Sequence, residues 1–293
     1  MGTCRGNWWC PRRRRLDLLM RALVVGFASA LLVAAVAYAT RRRRIKPPAY
    51  KWHRTGLWLP NADPDATNLS ASDLMKDTTG CLGSVVWPAA EILCDFLLKC
   101  DSEWLSKRVD RAIELGSGVG AAGLLAARCG LRSVTLTDYH PLVLDALRET
   151  IVVNGLEDRC TVSALDWSES GADNGERWPL VLGADLTWTT RGAIDLAKAV
   201  RRVLAPDGVF IYAHVERKAV YKGAGGTIRT ESFDSALQSL LVELLSDGTI
   251  ECRELERRVF DGDDETVLLL AFGGASALER FAEAGQRQFV YVK

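Results

Sequence analysis

Four short stretches combine carboxylates with glycines or tryptophans at spacings that suit ligand chemistry. The first, "AIELGSGVGAAGL", runs from an apolar segment through Glu114 into Gly116, Ser117, Gly118 and Gly120. Glycines let the backbone turn sharply and bring its N–H groups close to a ligand. The spacing is E-x-G-x-G-x-G, not the G-x-G-x-x-G that sets a pyrophosphate at a helix N-terminus. An acid ahead of the glycines repels a pyrophosphate and suits an ammonium or an ordered water. The second stretch ends on Asp138, 18 residues after Gly120, where a carboxylate can accept two hydrogen bonds from vicinal ribose hydroxyls. Asp166-Trp167 and Asp185-Leu186-Thr187-Trp188 follow. A flat indole beside a carboxylate suits adenine, by stacking and by contact with its exocyclic amine. Bland readings stand beside these: a ligand-free tight turn, a helix cap at Asp138, core packing at Trp167. Taken together, the four describe a pocket for an adenosine with a positively charged tail and no phosphate. S-adenosylmethionine is such a ligand.

The elements around these stretches predict how they are positioned. "PAAEILCDFLLKC" (88–100) has helical apolar spacing, and "VDRAIELG" (109–116) reads as a strand into the glycine turn. A small-residue helix (121–130) closes on Gly130, and the strand "SVTLTD" ends on Asp138. A helix (141–155) opens on Pro and stops at Asn-Gly. "CTVSALDW" and "PLVLGADLTW" read as strands, "AIDLAKAVRRVLAPDG" (193–208) as an amphipathic helix, and "VFIYAHV" as the next strand. "SFDSALQSLLVELLSDG" is another helix, and "TIECREL" and "TVLLLAFG" are closing strands, one of them a candidate antiparallel edge. This alternation predicts an α/β, Rossmann-like, doubly wound and mostly parallel sheet of seven strands with helices on both faces. In such a sheet ligands bind outside the carboxyl ends of the strands, where all four stretches fall.

The 293 residues are 48 % hydrophobic, enough for a sizeable core. Basic and acidic residues balance at 37 each, but eight of the basic ones sit in two blocks, Arg12–Arg15 and Arg41–Arg44. The remainder is acidic, which argues against a nucleic-acid partner. The eight cysteines form no CxxC pair and no zinc-spaced cluster. They read as reduced thiols in apolar segments, and no metal is expected.

Between the arginine blocks, Ala22–Ala39 is 18 residues without a charge. At about 1.5 Å per residue this nearly crosses a hydrocarbon core of about 30 Å. The expected organisation is a basic segment (1–15), a single-pass transmembrane anchor (16–40), a basic stop and linker (41–80), and a catalytic domain (81–293). Within the linker, "KWHRTGLWL" reads as a short strand or edge element. Arginines on both flanks leave the topology open. A cofactor found in the cytosol or an organelle matrix places the domain on that side of its membrane, and a mitochondrial membrane fits the arginine-rich start.

"GSVVWPAAEILCDFL", "ELGSGVGAAGLLAARCG", "VTLTDYHPLVLDALRETIVVNG", "LDW" and "VLGADLTW" occur in an order that resembles the seven-β-strand protein-lysine methyltransferases, the group containing the calmodulin and valosin-containing-protein lysine methyltransferases. The similarity runs from about Gly83 to Lys218. It implies S-adenosylmethionine as cofactor and a lysine of a protein as substrate. It also implies that Trp87 borders the cofactor, that Gly116, Ser117 and Gly118 contact its methionine part, that Asp138 binds the ribose, that Trp167 flanks the adenine, and that Ala184 offers backbone nearby. Glu114, Gly120, Tyr139 and Asp166 complete the candidate cofactor-binding set. The family usually carries Asp-x-x-Tyr where this chain has Asp185-Leu186-Thr187-Trp188. Trp keeps a π face for an ammonium but loses the phenol oxygen. The expected division of work has Asp185 orienting the amine, Trp188 holding it by the ring face, and bulk water taking the proton. His214 reads as a structural histidine or a proton-transfer aid. Two other functions stay open: transfer to another nucleophile (a small molecule, a histidine or a protein terminus), and a catalytically silent binding module.

Overall fold

The structure is a computed structural model and describes residues 50–60, 82–100, 109–169, 175–217, 220–222, 228–230, 233–259 and 266–285. These belong to one compact unit, Tyr50–Lys293. The expected anchor (16–40) and both arginine blocks lie outside the described residues. Among the described residues no helix is long and apolar enough to cross a membrane.

A short hairpin comes first, β1 (Tyr50–Trp52) against β2 (Trp58–Pro60). Then α1 (Pro88–Lys99), β3 (Arg111–Leu115), α2 (Ala121–Arg128), β4 (Ser133–Asp138), α3 (Pro141–Asn154), β5 (Cys160–Ala164), β6 (Trp178–Ala184), α4 (Thr190–Val203) and β7 (Leu204–Val215) alternate. A second hairpin, β8 (Val220–Lys222) with β9 (Ile228–Thr230), precedes α5 (Ser235–Leu245), β10 (Glu251–Val259), β11 (Thr266–Gly273) and α6 (Ala275–Gly285). The main sheet has seven strands in the order β10-β11-β7-β6-β3-β4-β5. β5, β4, β3, β6 and β7 run parallel, as the alternation predicts. The antiparallel strand is not at the edge: β11 lies between β7 and β10 and pairs antiparallel with both. Strand order reverses between β3 and β6, which opens a crevice at their carboxyl ends.

Two apolar layers cover the sheet. Leu93, Leu97, Leu124, Leu147 and Leu278 pack on one face, and Leu196, Val200, Leu240 and Leu244 on the other. α4 ends at Val203, earlier than its Pro-Asp-Gly stop suggests. Leu204 is already extended, and Ala205–Gly208 enter β7 through a register shift opposite Trp178–Leu180. α6 adds a helix beyond the expected elements, burying Ala277, Leu278 and Phe281.

The stretch read as linker also holds more structure than composition suggests. Leu57 and Leu59 of the first hairpin are fully buried while Trp58 between them is exposed, the period-two pattern of a half-buried strand. His53 Nε2 lies 2.6 Å from the Glu91 carboxylate on α1, and Arg54 Nε donates to the same group at 2.7 Å. The compact unit therefore starts before residue 81. The described cysteines, 94, 100, 129, 160 and 252, are free thiols. Burial pushes Cys100, Cys160 and Cys252 up to about 12, which keeps them neutral.

Candidate functional site

The crevice is a cleft of about 750 Å³ whose walls include the carboxyl ends of β3, β4 and β6 and the start of α1. Gly116, Gly118 and Gly120 all adopt left-handed backbone, with φ of 57°, 52° and 78°. Alternate residues in this region favour glycine, which accounts for the x-G-x-G-x-G spacing. Gly116 carries a second constraint. A Cβ there would meet Leu186 Cδ2 at 2.6 Å and Trp167 Cζ2 at 3.2 Å, so its bareness lets the Trp167 ring close over the turn. Gly120 is not on the cleft wall. It opens α2 in the left-handed conformation, and a side chain there would strike Leu147 and Leu136.

With glycine as its N-cap, α2 lacks a side-chain cap of its own. Glu114 provides one from β3: its Oε2 accepts the Gly123 N–H at 3.1 Å, one of the orphan donors of the helix start. Gly123 permits the approach, since a Cβ there would lie 2.6 Å from that oxygen. Burial pushes the Glu114 carboxyl up to about 8, against the Gly123 bond that favours its charged form. A carboxyl held neutral by burial ionises when a cation is set beside it, so its place on the cleft wall suits a ligand ammonium.

The loop is tied to β4 by reciprocal bonds. Ser117 N–H donates to the Thr137 carbonyl at 2.7 Å, and Thr137 N–H donates to Ser117 Oγ at 3.0 Å. Asp138 accepts the Gly118 N–H at 3.3 Å and the His140 N–H at 3.0 Å. Burial raises its pKa despite these bonds. The carboxylate is thus aimed by backbone alone. At the end of β5, Asp166 Oδ1 accepts the N–H and hydroxyl of Ser168 at 2.9 and 2.7 Å, a local turn that presents Trp167.

The β6 part of the cleft wall is organised by Asp185, the described non-glycine residue with positive φ, at 58°. Its side chain is fully buried, and Arg217 donates to both carboxylate oxygens at 2.6 and 2.5 Å. Trp188 Nε1 donates to the Asp185 carbonyl at 2.8 Å. The Trp188 ring meets Trp87 in a T-shaped contact at 5.3 Å and has the Arg217 guanidinium 4.1 Å from its centre. Behind the loop, the Tyr212 hydroxyl accepts the Leu186 and Thr187 N–H groups, both at 3.1 Å. His214 Nδ1 lies 3.1 Å from Thr187 Oγ1, and Nε2 lies 2.9 Å from Asp234. His214 is fully buried and meets the cleft through Thr187 and Asp234, which line it.

A family model described as lysine methyltransferase matches residues 66–223, more than half of the chain. The chain belongs to the lysine methyltransferase family. Among similar proteins is a protein N-lysine methyltransferase, METTL21A of Xenopus tropicalis, 32 % identical over 133 residues that cover 44 % of this chain and 59 % of the relative. The human protein-lysine N-methyltransferase EEF2KMT is 28 % identical over 167 residues, covering 52 % and 48 %. The histone-arginine methyltransferase METTL23 of Xenopus laevis is 27 % identical over 187 residues, covering 62 % and 71 %. The chain spans about half the length of the curated lysine methyltransferases it matches. A solved glycopeptide N-methyltransferase, MtfA complexed with S-adenosylmethionine, is 18 % identical, covers 65 % of this chain and 99 % of its own, and has a TM-score of 0.42.

For a member of this family, the fit to S-adenosylmethionine rests on particular side chains. Asp138 faces the cleft as an acceptor for hydroxyls, Trp167 offers a ring over the glycine turn, and Glu114 stands ready for an ammonium. Trp87, Gly116, Ser117, Gly118, Tyr139, Asp166 and Ala184 lie on the same wall, together with Asp185 and Trp188. All predicted site residues except Gly120 therefore converge. The expected role of Asp185 needs correction, because both of its oxygens are taken by Arg217 and neither is directed at an incoming amine. Arg217 does not stand out in the sequence, although it lies two positions after β7, at a strand end like the others.

Proposed function

We propose that this protein is an S-adenosylmethionine-dependent methyltransferase acting on lysine side chains of a protein substrate, and that residues 16–40 tether it to a membrane. The observation that carries the catalytic part is one cleft joining the glycine turn, Asp138 and Trp167 to the Trp87–Trp188 pair. Bound S-adenosylmethionine supplies a methyl group already activated by its sulfonium. The chain's own task is then to align the acceptor and keep water out. The Trp87–Trp188 pair forms an apolar part of the cleft wall. Asp185 and Tyr212 hold the Leu186–Trp188 loop, and Trp188 with it. A lysine amine, with a free pKa of about 10.4, must lose its proton before it reacts. Solvent takes that proton, since the His214 ring itself is fully buried and does not line the cleft.

Lysine as the acceptor is supported by the family and by two relatives named for it. A second acceptor, arginine, is favoured by the METTL23 match, which extends over more of both chains. Incubating the full chain with isotope-labelled S-adenosylmethionine and a lysate, then locating the label by mass spectrometry, separates the two. Label on lysine is expected; label on arginine alone supports the second reading, and no label overturns both.

The tether rests on the uncharged 22–39 segment between arginine blocks. The catalytic domain then faces cytosol or matrix, and a mitochondrial membrane suits the arginine-rich start. Resistance of the full chain to alkaline extraction from membranes is the expected result; release into the soluble fraction contradicts it.

A further inference from the structure

Two groups suited to a cationic acceptor stand together in the cleft wall, and both are already engaged. A cation touching an indole face and a carboxylate at once has the environment of an aromatic ammonium site. Arg217 fills that environment from within the chain, 4.1 Å from the Trp188 ring centre and paired with both oxygens of Asp185. The Asp185 side chain has no solvent exposure through which a second cation could reach it. Trp188 is fixed as well, by its bond to the Asp185 carbonyl and its contact with Trp87. Arg217 is itself held from behind, where its N–H donates to Asp234 at 2.7 Å.

We propose that Arg217 is a specificity-determining residue of the acceptor site: it takes the cation's place beside Trp188 and Asp185, so that the site excludes a charged ammonium and admits an uncharged nucleophile. This rests on reading the cleft as a methyl-transfer site and specifies the charge state of its acceptor. A guanidinium does not give up its proton at working pH, so the exclusion is permanent. Because Arg217 and Asp185 balance each other, an amine set beside the pair meets no unpaired carboxylate that would favour its charged form, and neutral it is the nucleophile. A fully alkylated ammonium has no neutral form and is shut out.

Tetramethylammonium is the probe. The full chain is labelled with fluorotryptophan, the Trp188 fluorine resonance is assigned with Trp188→Phe, and the probe is titrated in. The wild-type Trp188 resonance is expected to stay in place. In Arg217→Gln it is expected to move saturably, at a midpoint roughly ten-fold below any wild-type response, the size of a partly desolvated cation–indole contact. Asp185→Asn/Arg217→Gln leaves no unpaired buried carboxylate and serves if the single variant does not fold; its Trp188 resonance should move by a smaller extent. A wild-type resonance that titrates together with the variants overturns the proposal, and so does silence in all three proteins. The readout is independent of methyl transfer, so failure to label lysine removes the functional reading without deciding this one.

Discussion

At the ends of β4 and β6 the chain sets an aspartate on the cleft wall, and the two are held by opposite means. Asp138 accepts backbone N–H groups from Gly118 and His140, neighbours in the same pair of loops. Its charge has no side-chain counter-ion among these bonds, and burial raises its pKa. Asp185 is neutralised by a guanidinium 32 residues away in sequence and is closed to solvent. The first arrangement leaves a carboxylate ready for ligand hydroxyls. The second uses its carboxylate to hold a loop and a tryptophan. Two acids of the same type, at equivalent ends of parallel strands, thus do different work because of what pairs with them.

The sharpest way to break this contrast is to remove one partner of the buried pair. Arg217→Met leaves the buried Asp185 carboxyl without its partner, and should destabilise the fold by about 3 kcal/mol, the lower end for such a loss because Arg217 is partly solvated. Asp185→Asn leaves a guanidinium that water can reach, and should cost about 1 kcal/mol. Urea denaturation of both variants checks the asymmetry, and equal costs would place the two partners in equivalent surroundings.

A smaller effect concerns Glu114, whose carboxyl is raised from 4.5 to about 8 by burial. Between those values the folded chain holds a proton that the unfolded chain has released. Stability therefore falls as pH rises through this window, by at most about 1.4 kcal/mol per pH unit. Asp95 and Asp234 are shifted down and act below this window, whereas Asp138, raised by burial, adds to the decline in the same direction. In the cofactor-free protein, Glu114→Gln should flatten the decline seen by denaturation from pH 5 to pH 8 while keeping an acceptor for Gly123. An unchanged slope would put the titration elsewhere.

The smallest concerns the loop's exit. Thr189 Oγ1 accepts the Gly192 N–H at 3.0 Å and caps α4. Thr189→Ala should cost about 1 kcal/mol of stability, read as a lowered urea midpoint; no change would mean that the Asp185–Arg217 pair holds the loop without the cap.

The cofactor end was legible because its constraints are local. Gly116, Gly118 and Gly120 alternate where the backbone must be left-handed, and Asp138 follows directly on a clear strand. The Asp185–Trp188 part of the cleft was only half legible. Asp185 and Trp188 stand out by position, but the arginine that redefines them arrives from the next strand, through a pairing that no local pattern encodes. Glu114 was visible as an acid, yet its bond to the start of α2 depends on the glycine at 123, nine residues on. The KWHRTGLWL segment was legible as a short strand or edge element, but not as a hairpin of the compact unit, because three-residue strands carry almost no period. Leu57 and Leu59 become core residues only once they pack with the apolar layer that includes α1. In α6, Ala277, Leu278 and Phe281 did carry a helical pattern that went unread.

The central claim is that the cleft binds S-adenosylmethionine with Asp138 on its ribose. Isothermal titration of the cofactor into wild type and Asp138→Ala tests this most directly. Loss of hydrogen bonds to a charged acceptor, about 1.5–3 kcal/mol, predicts affinity weaker by roughly ten- to a hundred-fold in a variant that stays folded. Equal affinity in the two proteins, or no binding to the wild type, would contradict the account.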